Sequence, residues 1–352
     1  MPPEELNRRE RRVLEAVIRS YVETAEPAGS RTLSRRFGLG VSPATIRNTM
    51  SDLEAKGFLF HPHTSAGRVP TDKAYRAYVD SLLTRPPLPA VDTVRLSEGL
   101  GGGHGNSSSP IESILRRAAQ TLGLLTQELG VAIGPRLDRA VLRRLELVRV
   151  SSQRLLMVLT LEGGVVRTVF VEVAGDIADS ALGSVTAVLN ERLGGLTIGQ
   201  IRTSLSARLR DASADASAAE LLNIFVQEGD QLFDAALPAS DGQQVVLGTT
   251  SVLAEQPEFS AADRLRRLLA LTETPDALGA AIRRRIQAPG ISITIGAEHD
   301  DPRLEDFTLV TAEYQVGALA GVIGVIGPTR MPYDKVISLV GHTSRLLSDL
   351  LD

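Results

Sequence analysis

The 352-residue sequence predicts an α+β protein in several parts, on three observations. Residues 1–84 carry three helix patterns followed by a strand–turn–strand signal. Residues 85–110 hold RPPLPA and GLGGGHGNSSSP, too poor in large apolar side chains to build a core, and read as a linker. From 111 onward strand patterns give way to helical periodicity and then return, the signature of an α+β domain interrupted by a mainly helical insertion. The expected parts are 1–84, 85–110, 111–176, 177–260 and 261–352.

Asn7 opens the first helix, with Glu10 three residues on as in a capping box and Leu14, Val17, Ile18 and Tyr21 at helical spacing. Pro27 and Gly29 break it, and Ser30 starts a short helix that turns Leu33 and Phe37 inward. Gly38 and Gly40 supply the next turn. Ser42-Pro43 starts the third helix, because a serine oxygen accepts an orphan N–H and proline suits the first helical position; Gly57 stops it. Phe58 to Phe60 and the segment HPHTSAGRVPT then form a hairpin, giving the order of a winged helix-turn-helix. A further helix, from Thr71 to about Thr84, leads out of this part.

Beyond the linker a helix spans Ile111 to about Leu129, followed by strands near 141–150, 154–161 and 165–173. Residues 177–238 are helical, with Leu222, Phe225, Val226 and Phe233 on one stripe. A strand at 243–247 and two helices come next. Strands at 291–295, 307–314 and 318–326 and a closing amphipathic helix complete the chain.

A wheel of about 100° per residue puts Ile46, Met50 and Leu53 of the third helix on one side and Ala44, Asn48 and Ser51 on the other, flanked by Thr45 and Arg47. An outward surface of small polar side chains with one guanidinium suits the major groove of double-stranded DNA. Asn48 is suited to a bidentate contact with adenine, and Arg47 to guanine or a phosphate. Ser42 at the helix start joins this set. Arg31, Arg35 and Arg36 on the second helix are either phosphate contacts or a solvated face. Thr64, Ser65 and Arg68 at the hairpin tip are either contacts to phosphate or the minor groove or residues of a plain hairpin turn. Leu222, Phe225 and Phe233 are either a dimerisation surface or core of a single chain.

Charge distribution agrees with this division. The whole chain is −4, yet residues 1–85 carry 14 Lys+Arg against 10 Asp+Glu. The absence of cysteine excludes disulfides, thiolate metal sites and a cysteine nucleophile. The pair His61 and His63 lacks further ligands nearby, and five scattered histidines form no catalytic motif, so no metal, no cofactor and no enzyme activity are expected. Without an apolar run of about 18 residues, the expectation is a cytoplasmic protein that does not engage the membrane.

The segments SPATIRNTMSDLEAKGFL at 42–59, PHTSAGRVPTDKAYRAYVD at 62–80 and IGVIGPTRMPYDKVISLVGHTSRLLSDLL at 323–351 resemble the HrcA family of heat-inducible transcription repressors. The resemblance implies a homodimer with a DNA-binding winged helix, a GAF-like domain and an inserted dimerisation domain. It further implies an inverted-repeat operator upstream of chaperone operons, and activity supported by a GroEL-type chaperonin. The Gly/Ser tract at 101–109, and Ala74 where a glycine is expected, depart from the family pattern.

Overall fold

The computed structural model describes residues 6–62, 67–83, 96, 110–173, 175, 177–210, 216–236, 245–260, 266–267, 269–271, 276–283, 290–317 and 319–351. Almost all of the linker expected at 85–110, and the hairpin-tip residues Thr64 and Ser65, lie outside these. The chain is mixed α+β and divides into two compact units. One comprises Met1–Ala132, Val246–Ala312 and Ile323–Ser344; the other comprises Ile133–Val245, Glu313–Val322 and Arg345–Asp352.

The first unit begins with α1 (Arg8–Thr24), α2 (Ser30–Arg36) and α3 (Pro43–Ala55), followed by an antiparallel pair β1 (Leu59–Phe60) and β2 (Val69–Pro70). The capping box forms as expected. Asn7 Oδ1 accepts from the Glu10 amide at 2.9 Å while Glu10 Oε2 accepts from the Asn7 amide at 2.9 Å. Val13, Leu14, Val17 and Ile18 of α1 close on Leu33, Ile46 and Leu53 to make a small three-helix core. Glu10 also takes the Lys56 ammonium at 2.9 and 3.0 Å, tying the start of α1 to the end of α3; that bond holds its carboxyl below the usual carboxylate range. Thr71 then caps α4 (Asp72–Leu82), which buries Tyr75, Tyr78, Val79 and Leu82.

The same unit continues with α5 (Pro110–Thr126) and β3 (Leu129–Ile133). All five residues of β3 are buried, and it is a strand the sequence pattern does not separate from the preceding helix. An uninterrupted apolar run such as LGVAI has no alternation to reveal it, because a strand covered on both faces needs none. It joins a five-stranded sheet in the order β7-β3-β10-β9-β8. The other strands are β7 (Val245–Leu247), β8 (Ile291–Ile295), β9 (Phe307–Val316) and β10 (Leu319–Pro328). β8 and β9 pair antiparallel from Ile291 opposite Ala312 to Ile295 opposite Thr308. The closing helix, Tyr333–Leu351, buries Val336, Leu339, Val340 and Leu347.

The second unit holds a three-stranded antiparallel sheet of β4 (Leu142–Ser151), β5 (Arg154–Leu161) and β6 (Val166–Glu172). With it lie α6 (Asp179–Leu193), α7 (Ile198–Leu209) and α8 (Ala216–Ala236). The sequence pattern groups these strands with the α+β domain and starts the insertion at 177. In the fold they pack on the helices instead. Leu145, Leu155, Met157, Leu159, Val169 and Val171 form the sheet's buried side. Asn190 of α6 fastens the layers, donating to the Leu145 carbonyl at 2.7 Å and accepting from the Leu145 amide at 2.9 Å. A change of periodicity marks where helices begin, not which layer covers them.

Of the two roles expected of Leu222, Phe225 and Phe233, a dimerisation surface or core of a single chain, their burial favours core over the dimerisation surface. Phe225 and Phe233 are fully buried and Leu222 is 5% exposed in the single chain, where α8 packs on α7. Their stripe is core, because a helix in this second layer turns its apolar face to its own neighbours.

Candidate nucleic-acid interface

Local chemistry fixes the start of α3. The Ser42 Oγ accepts from the Thr45 amide at 3.1 Å, and Pro43 occupies the first turn, where no N–H is needed. Ile46, Thr49, Met50 and Leu53 face the core, so Ala44, Arg47, Asn48 and Ser51 face outward. Thr45 is half-buried, with its hydroxyl 3.0 Å from that of Ser42. Ser51 returns its hydroxyl to the Arg47 carbonyl at 3.2 Å. Arg47 and Asn48 have no side-chain partner among the described residues, which leaves both free to bond to something outside the chain.

The first turn of α3 contains no acidic residue. Its unsatisfied N–H groups and helix dipole therefore add positive potential beside Arg47. On α2, Arg31 and Arg35 are exposed. Arg36 is directed differently. Its guanidinium pairs with Glu23 of α1 and lies 5.6 Å from the Phe37 ring, so it is engaged within the fold.

The hairpin also sorts its residues. Arg68 is not at a tip. Its backbone bridges Ala28 in both directions, at 2.9 and 3.0 Å, and its guanidinium meets Glu54 of α3 at 2.7 Å with only 15% of the side chain exposed. An arginine so enclosed fastens the hairpin to α3 and to the α1–α2 turn; the expected phosphate contact is not what this side chain is arranged for. Gly67 permits the approach, since a Cβ there would lie 2.3 Å from the Ala28 carbonyl oxygen. Glu54 was not legible as Arg68's partner, because the two meet only through the hairpin's return. Thr64 and Ser65 lie outside the described residues, as does His63. No group of three or more His, Asp or Glu able to hold a metal occurs among the described residues, and no helix among them is long and apolar enough to cross a membrane.

The paired charges at the far end of α3 complete the electrostatics. Lys56 is spent on Glu10 and Arg68 on Glu54. Among the exposed cationic groups without an internal partner, Arg47 stands in the N-terminal half of α3 and Arg31 and Arg35 on α2, while Arg8 and Arg12 stand at the start of α1. That arrangement presents an exposed polar face on α3 with cations on α2 and α3, a combination chemically suited to base edges and flanking phosphates.

Residues 112–337 match the family model described as HrcA protein C terminal domain. The chain is 38% identical over 356 residues to the heat-inducible transcription repressor HrcA of Chlorobium phaeobacteroides (strain BS1), covering 99% of each chain. It is 36% identical over 349 residues to that of Geobacter sulfurreducens, again covering 99% of each. A crystal structure of a hypothetical protein at 2.2 Å resolution shares the fold, with a TM-score of 0.67 at 22% identity over 99% of both chains. Chain-long identity and family model agree: the chain belongs to the HrcA family of heat-inducible transcription repressors.

Proposed function

We propose that the protein is a sequence-specific DNA-binding repressor of chaperone operons that binds an inverted-repeat operator as a dimer. In this reading residues 1–84 are a winged helix-turn-helix with α3 as its recognition helix. The five-stranded sheet belongs to a GAF-like domain, and the β4–β6 sheet with α6–α8 is the inserted dimerisation domain. The observation that carries the reading is the outward face of α3, where Arg47 and Asn48 stand exposed without internal partners above a buried face of Ile46, Met50 and Leu53. Modulation by a GroEL-type chaperonin and the choice of chaperone operons rest on family membership.

The dimer needs a self-complementary surface. The outer side of the β4–β6 sheet is suited to it: Val148, Val150, Val166 and Phe170 are each 47–56% exposed. Val148 and Phe170 lie in one cross-strand row through Leu156. Charged residues border the strip, among them the pairs Arg144–Glu146 and Arg154–Glu172. Exposed apolar side chains interspersed and rimmed with both signs of charge, with the Arg154 guanidinium 5.1 Å from the Phe170 ring, have the mixed composition of an association surface.

Salt titration tests the reading. Binding of the full chain to DNA from upstream of a chaperone operon should weaken steeply and linearly in log salt, because phosphate contacts release counterions. Affinity independent of salt, or equal on scrambled DNA of the same composition, would contradict a sequence reader.

A further inference from the structure

Two arginines outside the recognition helix hold the three-helix head against the sheet of the same unit. Arg330 follows β10 in the segment IGPTR, which the reading edge leaves without a role. Its guanidinium grips the Glu258 carboxylate with two nitrogens, one of the bonds 2.9 Å long, and donates a third bond to the Val22 carbonyl at 2.6 Å. Val22 lies in the last turn of α1, where carbonyls have no intrahelical partner and the dipole favours a cation. The pair is largely enclosed, with 14% and 15% of the two side chains exposed.

The second grip is on α4. Arg76 pairs with Glu298 through two nitrogens, one bond measuring 2.7 Å, and donates to the Ile293 carbonyl of β8 at 2.9 Å. One turn earlier Asp72 accepts from the Ala297 amide at 3.0 Å. Gly296 makes room for it: φ is +49° there, and a Cβ would lie 2.0 Å from an Asp72 oxygen. Each arginine therefore bonds a carboxylate in a planar fork and a main-chain carbonyl across the seam. One grip acts at the end of α1 and the other on α4. A single grip leaves a rotation about itself; two at separate elements remove it.

We propose that Arg330 and Arg76 are positioning residues for operator recognition, fixing the head on the sheet so that the two recognition helices of a dimer stand at one spacing. The inference rests on the dimeric operator-binding reading above. A dimer gains on an inverted repeat because the second head is delivered at high effective concentration, and that gain requires a head of defined orientation. Loosening the seam should cost the second contact while sparing the first.

The experiment compares the full chain with Arg330→Gln and, separately, Arg76→Gln on duplexes holding one half-site or the whole inverted repeat, including repeats lengthened by a base pair. Each variant should keep half-site affinity within about twofold, lose about tenfold or more on the whole repeat, and discriminate less against the lengthened spacer. A second arm needs no DNA. The chain has no cysteine, so spin labels at Ala55→Cys on α3 and Leu124→Cys on α5 report one distance across the seam. That distance should be narrowly distributed in the parent and broadened in either variant. Unchanged distances together with unchanged whole-repeat affinity overturn the inference. So does an equal loss on half-site and whole repeat, which would mean that these arginines shape the head itself. Should the parent not prefer its operator to scrambled DNA, the operator reading fails, while the distance arm still decides whether the seam is clamped.

Discussion

At the scale of single residues, specificity in the proposed reading rests on solvent-facing side chains with nothing inside the chain to bond. Asn48 meets that description, and its amide offers both a donor and an acceptor to an adenine edge. Asn48→Ala should cost about 1–3 kcal/mol on the operator and leave binding to scrambled DNA unchanged. Competition binding checks this, and equal loss on both DNAs would remove Asn48 from base reading. Glu128 behaves in the opposite way. It is buried, Gln256 donates to it at 3.2 Å, and burial pushes its carboxyl well above the usual carboxylate range. A folded-state pKa raised above the unfolded value gives stability that is present at low pH and lost as pH rises through the folded value. Melting temperature should therefore fall as pH climbs above the ordinary carboxylate range, and Glu128→Gln should flatten that slope and melt higher at neutral pH. An unaltered slope in the variant contradicts this assignment. Asn48 and Arg47 were legible in the sequence, since a helical wheel fixes which residues oppose the buried ones. The engagement of Arg68 with Glu54 and of Arg36 with Glu23 was not, because each pair joins elements that sequence spacing alone does not bring together.

At the scale of elements, caps and periodicity were the reliable signals. The starts of α1 and α3 follow from Asn7 and from Ser42-Pro43, and both caps form. The strands β4 to β6 were found to within a few residues because one side is apolar and buried, but the pattern could not show which layer covers that side. It also passed over β3, whose five residues are all buried. The same reasoning bears on where the proposed dimer surface lies. Leu222, Phe225 and Phe233 look like an interface on a wheel yet are core, whereas Val148 and Phe170 look like ordinary strand residues yet face solvent. Phe170→Asp puts a charge on that face, on the edge strand β6, without touching the buried one. It should leave the far-ultraviolet circular dichroism intact and convert a dimer to a monomer by light scattering. A folded, fully dimeric variant would move the interface elsewhere.

At the scale of the whole molecule, net charge is a poor guide and its distribution a good one. A chain of −4 carries an excess of cations in residues 1–85, and of those without internal partners Arg47 is on the exposed face of α3 and Arg31 and Arg35 are on α2. Family membership adds the repressor role; that α3 performs the recognition is the proposal. The most direct measurement is a footprint of the purified full chain and of Asn48→Ala on DNA upstream of a chaperone operon, with and without a GroEL-type chaperonin. The parent should protect two half-sites related by a dyad, more strongly with the chaperonin, and Asn48→Ala should lose that protection at equal concentration. Absence of a dyad-related footprint in the parent, or protection by the variant identical to it, would contradict the central claim that the outward face of α3 reads the operator.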